Sequence, residues 1–118
     1  MYIKNVILVE DDAATRMLIK FKLRKNNINV FEFATAENCL EYAIICDEHI
    51  DLILSDMMLP GINGDEFIKK IREINKYEKI PVIIISASDY ISIPNCEHIS
   101  KPFELNYLIL RVKSVLNI

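Results

Sequence analysis

Short runs of branched apolar residues alternate along this chain with stretches of helical periodicity, and that alternation predicts a doubly wound α/β fold. Strands are predicted over residues 5–9, 29–33, 51–55 and 80–85. The first, third and fourth of these are apolar without alternation, which suits strands buried on both faces and hence a parallel sheet. Helices are predicted between and after them. Residues 14–25 put Leu18, Phe21 and Lys25 on helical spacing, and residues 36–46 stack Cys39, Leu40, Ala43 and Cys46. The pattern recurs through Phe67, Ile68, Ile71 and Ile74 in residues 64–75, and through Leu108, Val112 and Val115 in residues 103–116. Right-handed crossovers then place helices on both faces of the sheet. Ligands of such sheets bind beyond the carboxyl ends of the strands, where strand order reverses, so the chemistry is expected at strand ends.

With 118 residues and 52% hydrophobic composition the chain suits one compact domain over residues 1–118, with no linker, repeat or low-complexity tract. Seventeen acidic and fourteen basic residues leave a net charge of −3. That balance lacks the basic stripe that neutralises nucleic-acid phosphates or an anionic membrane, so neither is an expected partner. Cys39, Cys46 and Cys96 are odd in number, lack metal-type spacing and lie in apolar stretches, which reads as reduced thiols in a cytoplasmic protein. The apolar run of residues 6–9 is too short for a secretory signal, and no later run approaches membrane-spanning length.

Two predicted strands end in acids. VILVEDD (residues 6–12) delivers Glu10, Asp11 and Asp12, and DLILSD (residues 51–56) delivers Asp56. Carboxylates gathered at one sheet edge repel unless a proton or a cation neutralises them. A hard divalent ion with oxygen ligands, Mg²⁺ or its close substitute Mn²⁺, answers that need, taking one or two carboxylates plus a phosphate. Asp12 reads better as the cap of the following helix. Two further strand ends add a hydroxyl at Ser86, in PVIIISAS, and an ammonium at Lys101, in ISKPF. Singly these would be an ordinary strand-end hydroxyl and a surface charge. A carboxylate nucleophile, a divalent ion, a hydroxyl and an ammonium together suit a transferring phosphoryl group.

Through VILVEDD, DLILSDMMLPGINGDEF, PVIIISAS and SKPF the chain resembles the receiver domains of bacterial two-component response regulators, the chemotaxis-receiver-like superfamily, over nearly its whole length. The resemblance implies a flavodoxin-like, five-stranded sheet of order 2-1-3-4-5. It makes Asp56 the phosphoacceptor, Asp11 a direct metal ligand, Glu10 its mostly water-mediated partner and the Met58 carbonyl a further ligand. Lys101 and the backbone at Met57 and Ala87 would contact the phosphoryl oxygens, and Ser86 would bond them once Asp56 is modified. A sensor histidine kinase or histidine phosphotransfer protein would supply the group, and a downstream output protein or domain would read the change, with a homodimer as one further arrangement. Such a domain promotes its own phosphorylation and the hydrolysis of its aspartyl phosphate without being a conventional enzyme. The loop MMLPGING holds both glycines, Gly61 and Gly64, which fits a tight bend close to a phosphate.

The sequence departs from that family in one region. Fourteen residues separate Ser86 from Lys101, whereas a three-turn helix alone takes about 11 residues. Residues 89–96 are rich in Ile and contain Pro94, so the fourth helix is predicted to be absent or reduced to one turn. His98 occupies the family's aromatic switch position; it is either a titratable substitute or an inert strand-edge side chain, and with no acidic partner in view the inert reading is preferred. His49, following the second helix, is assigned no chemistry. The leading expectation is a phosphorylation-dependent signalling switch. A phosphorylation-independent interaction module is the alternative, whereas a small-molecule phosphotransferase or phosphatase lacks a DxD nucleophile motif and a P-loop.

Overall fold

The computed structural model describes residues 2–87 and 93–118. Five parallel strands, β1 (Asn5–Val9), β2 (Asn29–Phe33), β3 (Leu52–Asp56), β4 (Val82–Ser86) and β5 (Cys96–Ser100), form one sheet in the order β2-β1-β3-β4-β5. The chain starts at β1, steps outward to β2 and returns past β1 to β3. Strand order therefore reverses between β1 and β3, whose carboxyl ends carry the acids. The central strands β3 and β4 are buried throughout, whereas the edge strands β2 and β5 are only partly covered. This is why their sequences are mixed and those of the central strands are not.

Helices α1 (Ala13–Lys25) and α4 (Leu105–Leu116) share one core with Leu8, Leu54 and Ile85, while α2 (Ala36–Ile45) and α3 (Gly64–Ile71) share another with Ile7, Ile53 and Ile84. Successive strand residues point to opposite faces, so each central strand supplies both cores. Each of the first three helices starts on a side-chain cap. Asp12 accepts from Thr15 N, Thr35 from Asn38 N, and Asn63 from Glu66 N.

Two helical expectations change. On α1 the residues that meet the sheet are Ile19 and Leu23; Leu18 and Phe21, expected on the core face, are each 58% exposed. The helix carries two apolar stripes, and only docking against the sheet selects between them. On α3 the regular helix ends at Ile71, and a 3₁₀ turn, Asn75–Tyr77, replaces its predicted last turn. That break turns the fully buried Tyr77 inward, where its hydroxyl donates to the Ala43 carbonyl at 3.3 Å. The three cysteines are free, with Cys39 buried and Cys46 and Cys96 half-buried. Burial pushes the Cys39 thiol up to about 12, which leaves it a packing residue.

Residues 87–95 join β4 to β5. Among the described ones, 87 and 93–95, there is no helix; residues 88–92, on which the predicted fourth-helix remnant mainly falls, lie outside the described residues. The returning strand is anchored by Arg72 at the end of α3. Its guanidinium donates to the carbonyls of Pro94, of Asn95 at 2.9 Å and of Ile80 at 3.2 Å. One fork thus ties the start of β5 to α3 and to the approach to β4. Replacing it with an apolar side chain leaves those carbonyls without their charged donor. Arg72→Met is expected to lower stability by about 2 kcal/mol in urea titration with an unchanged m value.

Candidate functional site

The sheet hydrogen bonds continue one residue past the strand ends, and this continuation places the polar residues. Glu10 N donates to Phe33 O at 3.0 Å, Met57 N to Ile85 O at 2.9 Å, and Lys101 N to Ser86 O at 2.8 Å. Glu10 and Asp56 are each only 3% exposed, and Ser86 is 2% exposed. Glu10, Asp11 and Asp56 each present a carboxylate oxygen, and these three atoms lie within 4.8 Å of one another. From β5, Lys101 Nζ reaches over to donate to Asp56 Oδ2 at 2.7 Å. Met58 N donates to Asp56 Oδ1 at 3.2 Å, so both oxygens of that carboxylate are oriented. Glu10 Oε2 accepts from Asp12 N at 3.0 Å, and Asp12 itself caps α1 as the sequence suggested.

Glu10, Asp11, Asp56 and Lys101 line an open cleft of about 770 Å³, with Ala87, Met58 and Phe103 at its walls. Met57 N–H is held by the Ile85 carbonyl inside the sheet, and the amide that faces the Asp56 carboxylate belongs to Met58. His98 lies on β5 opposite Ile84, half-buried, and its Nε2 has no hydrogen-bond partner among the described residues. Arg16, not singled out by the sequence, also joins the site: its Nη1 donates to Glu10 O at 2.8 Å. No local motif marks it, because its partners come from a neighbouring loop and from β2.

Three carboxylates face one ammonium group. At 4.8 Å and an effective dielectric of about 20, two like charges repel by about 3 kcal/mol. The consequence falls on Glu10, held well above its ordinary value at about 7. Burial is the main cause; the Asp12 amide works against it, while the Asp56 charge and a hydrogen bond shared with Asp11 add to it. For Lys101, burial pulls downward, but the hydrogen bond and charge of Asp56 outweigh it and the net displacement is upward. An oxygen-only donor set with excess negative charge, opening on a cleft with room for water, fits a small hard cation such as Mg²⁺.

Gly64 makes the close approach possible. A Cβ at this position would lie 2.6 Å from the Asp56 carbonyl oxygen and 2.7 Å from Met57 Cα, both backbone atoms, and Gly64 N donates to Met57 O at 2.7 Å. Gly61, at φ +73°, makes the preceding bend, and Ile62 N donates to Glu37 at 3.2 Å.

A parallel sheet of this order, with acids at its switch point and a lysine reaching over from the edge strand, defines a flavodoxin-like domain of the receiver class. Comparison with known proteins agrees: a family model described as the response regulator receiver domain matches residues 6–113. The regulatory protein VanR of Enterococcus faecium is 33% identical over 119 residues, which cover 95% of this chain and 49% of VanR. The phosphate regulon transcriptional regulatory protein PhoB of Pseudomonas aeruginosa is 31% identical, over 96% of this chain and 52% of PhoB. The chain therefore spans about half the length of these two relatives. The crystal structure of the receiver domain from the hybrid histidine kinase CckA superposes with a TM-score of 0.83 at 32% identity, covering 95% of this chain and 98% of the other. The chemotaxis response regulator CheY4 of Vibrio cholerae shares the fold, with a TM-score of 0.87 at 21% identity over 97% and 99% of the two chains. This chain belongs to the receiver-domain family of two-component response regulators.

Two outcomes are expected from the site's geometry. Gly64→Ala forces the Asp56–Met57 backbone to move and is expected to cost about 2 kcal/mol in urea titration, more than Gly61→Ala, whose added methyl meets only the end of the Glu37 side chain and a strained φ. The second concerns pH. A carboxyl whose proton is held more tightly in the folded state stabilises the fold below its unfolded value near 4.5, and that stability is lost as pH rises through about 7. In metal-free buffer the urea midpoint should fall between pH 5 and 8, by on the order of 2 kcal/mol in stability, and Glu10→Gln should flatten the slope.

Proposed function

We propose that this receiver is a phosphorylation-dependent signalling switch that accepts a phosphoryl group on Asp56 from a phosphohistidine, on a sensor histidine kinase or a histidine phosphotransfer protein. The observation that carries this reading is the Lys101 ammonium 2.7 Å from a buried Asp56 carboxylate that shares its rim with Glu10 and Asp11. The transfer forms a bond between Asp56 oxygen and phosphorus and breaks the phosphorus–nitrogen bond, the imidazole leaving. Met58 N–H orients the carboxylate, and Lys101, protonated at neutral pH, balances charge on the phosphoryl oxygens. Asp11, Asp56, Glu10 and the Met58 carbonyl would hold Mg²⁺ or Mn²⁺, which would supply further positive charge for the phosphoryl transfer. Ala87 N–H and the Ser86 hydroxyl, at the end of β4, are proposed as the donors that meet the modified Asp56.

Phosphorylation adds charge in a pocket already crowded with acids, and this is the bias that moves the domain between two states. Ser86 and His98 lie on adjacent strands, in a sheet edge that runs toward the β5–α4 surface. His98 is proposed to pack there as an inert strand-edge side chain. The output is a partner protein or an appended domain. PhoB is by name a transcriptional regulator, but the net charge of −3 here makes this domain itself a poor ligand for nucleic acid. A cytoplasmic setting is proposed from the receiver family; no helix among the described residues is long and apolar enough to cross a membrane.

Incubation with Mg²⁺ and acetyl phosphate is expected to add one phosphoryl mass to the intact chain. Asp56→Asn should abolish the addition, and Lys101→Met should slow it by about 10²-fold or more. An unmodified wild-type chain under saturating Mg²⁺ would refute the reading.

A further inference from the structure

Arg16 sits in the first turns of α1 but directs its guanidinium away from the helix. Nη1 donates to the carbonyl of Glu10 at 2.8 Å and lies 3.5 Å from that of Asp11, while Nε donates to Glu32 Oε1 at 3.2 Å. Glu32, on β2 opposite Leu8, also pairs with Lys20. The hydrogen bond from Lys20 is the main cause that holds its carboxyl below the ordinary range, so it stays a charged anchor. The Arg16 and Glu32 side chains are 20% and 31% exposed, which makes this a partly desolvated fork and not a solvated surface pair.

The two carbonyls belong to the residues whose carboxylates form the acidic rim. Glu10 is fixed in addition by the sheet and by Asp12 N–H, but Asp11 is exposed and follows the end of β1, so the aim of its side chain depends on how firmly its backbone is held. We infer that Arg16, itself anchored by Glu32, is a positioning residue for the cation site: by fixing the peptides of Glu10 and Asp11 it sets the affinity for the divalent ion. This inference rests on the reading of the acidic rim as a Mg²⁺ or Mn²⁺ site.

Charge and positioning make opposite demands. Removing a cation beside an anionic pocket should by Coulomb's law alone tighten the binding of another cation. Loss of an orienting partner behind a ligand should loosen it, typically by 10-fold or more.

Binding of Mn²⁺ to the full chain, followed by the loss of the free-ion signal in electron paramagnetic resonance, separates the two without any phosphoryl transfer. Arg16→Met is expected to weaken binding by about 10-fold, and Arg16→Lys, which keeps the charge but loses the fork, to weaken it as well. Glu32→Gln should weaken it to a lesser degree and add little in the Arg16→Met background. Arg24→Met, which removes an exposed charge from α1 but no contact to Glu32 or to the acid-bearing loop, should leave affinity within about twofold. Far-ultraviolet circular dichroism and thermal melting check folding, and Arg16→Lys serves if Arg16→Met does not fold. Unchanged or tighter Mn²⁺ binding in both Arg16 variants would overturn the inference while leaving the site intact. A wild-type chain that binds Mn²⁺ no better than Asp11→Asn would remove the metal site and this inference together.

Discussion

The ion pair between Lys101 and Asp56 sets the terms for this domain. A parallel sheet delivers the carboxyl ends of all its strands to one edge, and here that edge receives three acids. The repulsion is met partly by the lysine and partly by the backbone. Glu10, Met57 and Lys101 are each locked by a main-chain bond that extends the ladder past the last strand residue, so the side chains are brought together by the sheet and not by mutual attraction. The surplus negative charge is then a property that the fold imposes, and it suits a small hard cation.

The same economy of backbone shapes the loop after β3. Gly64 lies so close to Asp56 and Met57 that no side chain fits there, and its amide closes onto the Met57 carbonyl. The loop can therefore start α3 directly against the Asp56–Met57 backbone. Met57 serves the sheet with its amide and α3 with its carbonyl, and Met58 is left to address Asp56. On the opposite side of the cleft Arg16 ties the acid-bearing loop to β2. The site is thus bounded by main-chain contacts, while its mouth is formed by the exposed Met58 and by Phe103.

The β4 to β5 connection follows a different logic. Arg72 reaches three carbonyls across that junction, holding the start of β5 against α3. The edge strand that carries Lys101 is consequently fixed at both ends. Its first residues are tied through Arg72, and its last is tied through Ser86 and Asp56.

Much of this was legible in the chain itself. Residues 5–9, 51–55 and 80–85 are apolar without alternation because both of their faces are covered, and that property of a central parallel strand shows in composition alone. The acids and the lysine were legible because each follows such a run directly. What the chain could not disclose were choices between equivalent local options. Two apolar stripes on α1 satisfy the same period, and only the surface of Leu8 and Leu54 selected Ile19 and Leu23 over Leu18 and Phe21. Residues 72–74 continue the helical pattern of α3, yet the burial of Tyr77 ends the helix early. Met57 and Met58 are identical in type, and the register with Ile85 decided which amide would face the carboxylate. Periodicity reports which residues seek burial, whereas the partner surface, formed by residues distant in the chain, decides where each of them goes.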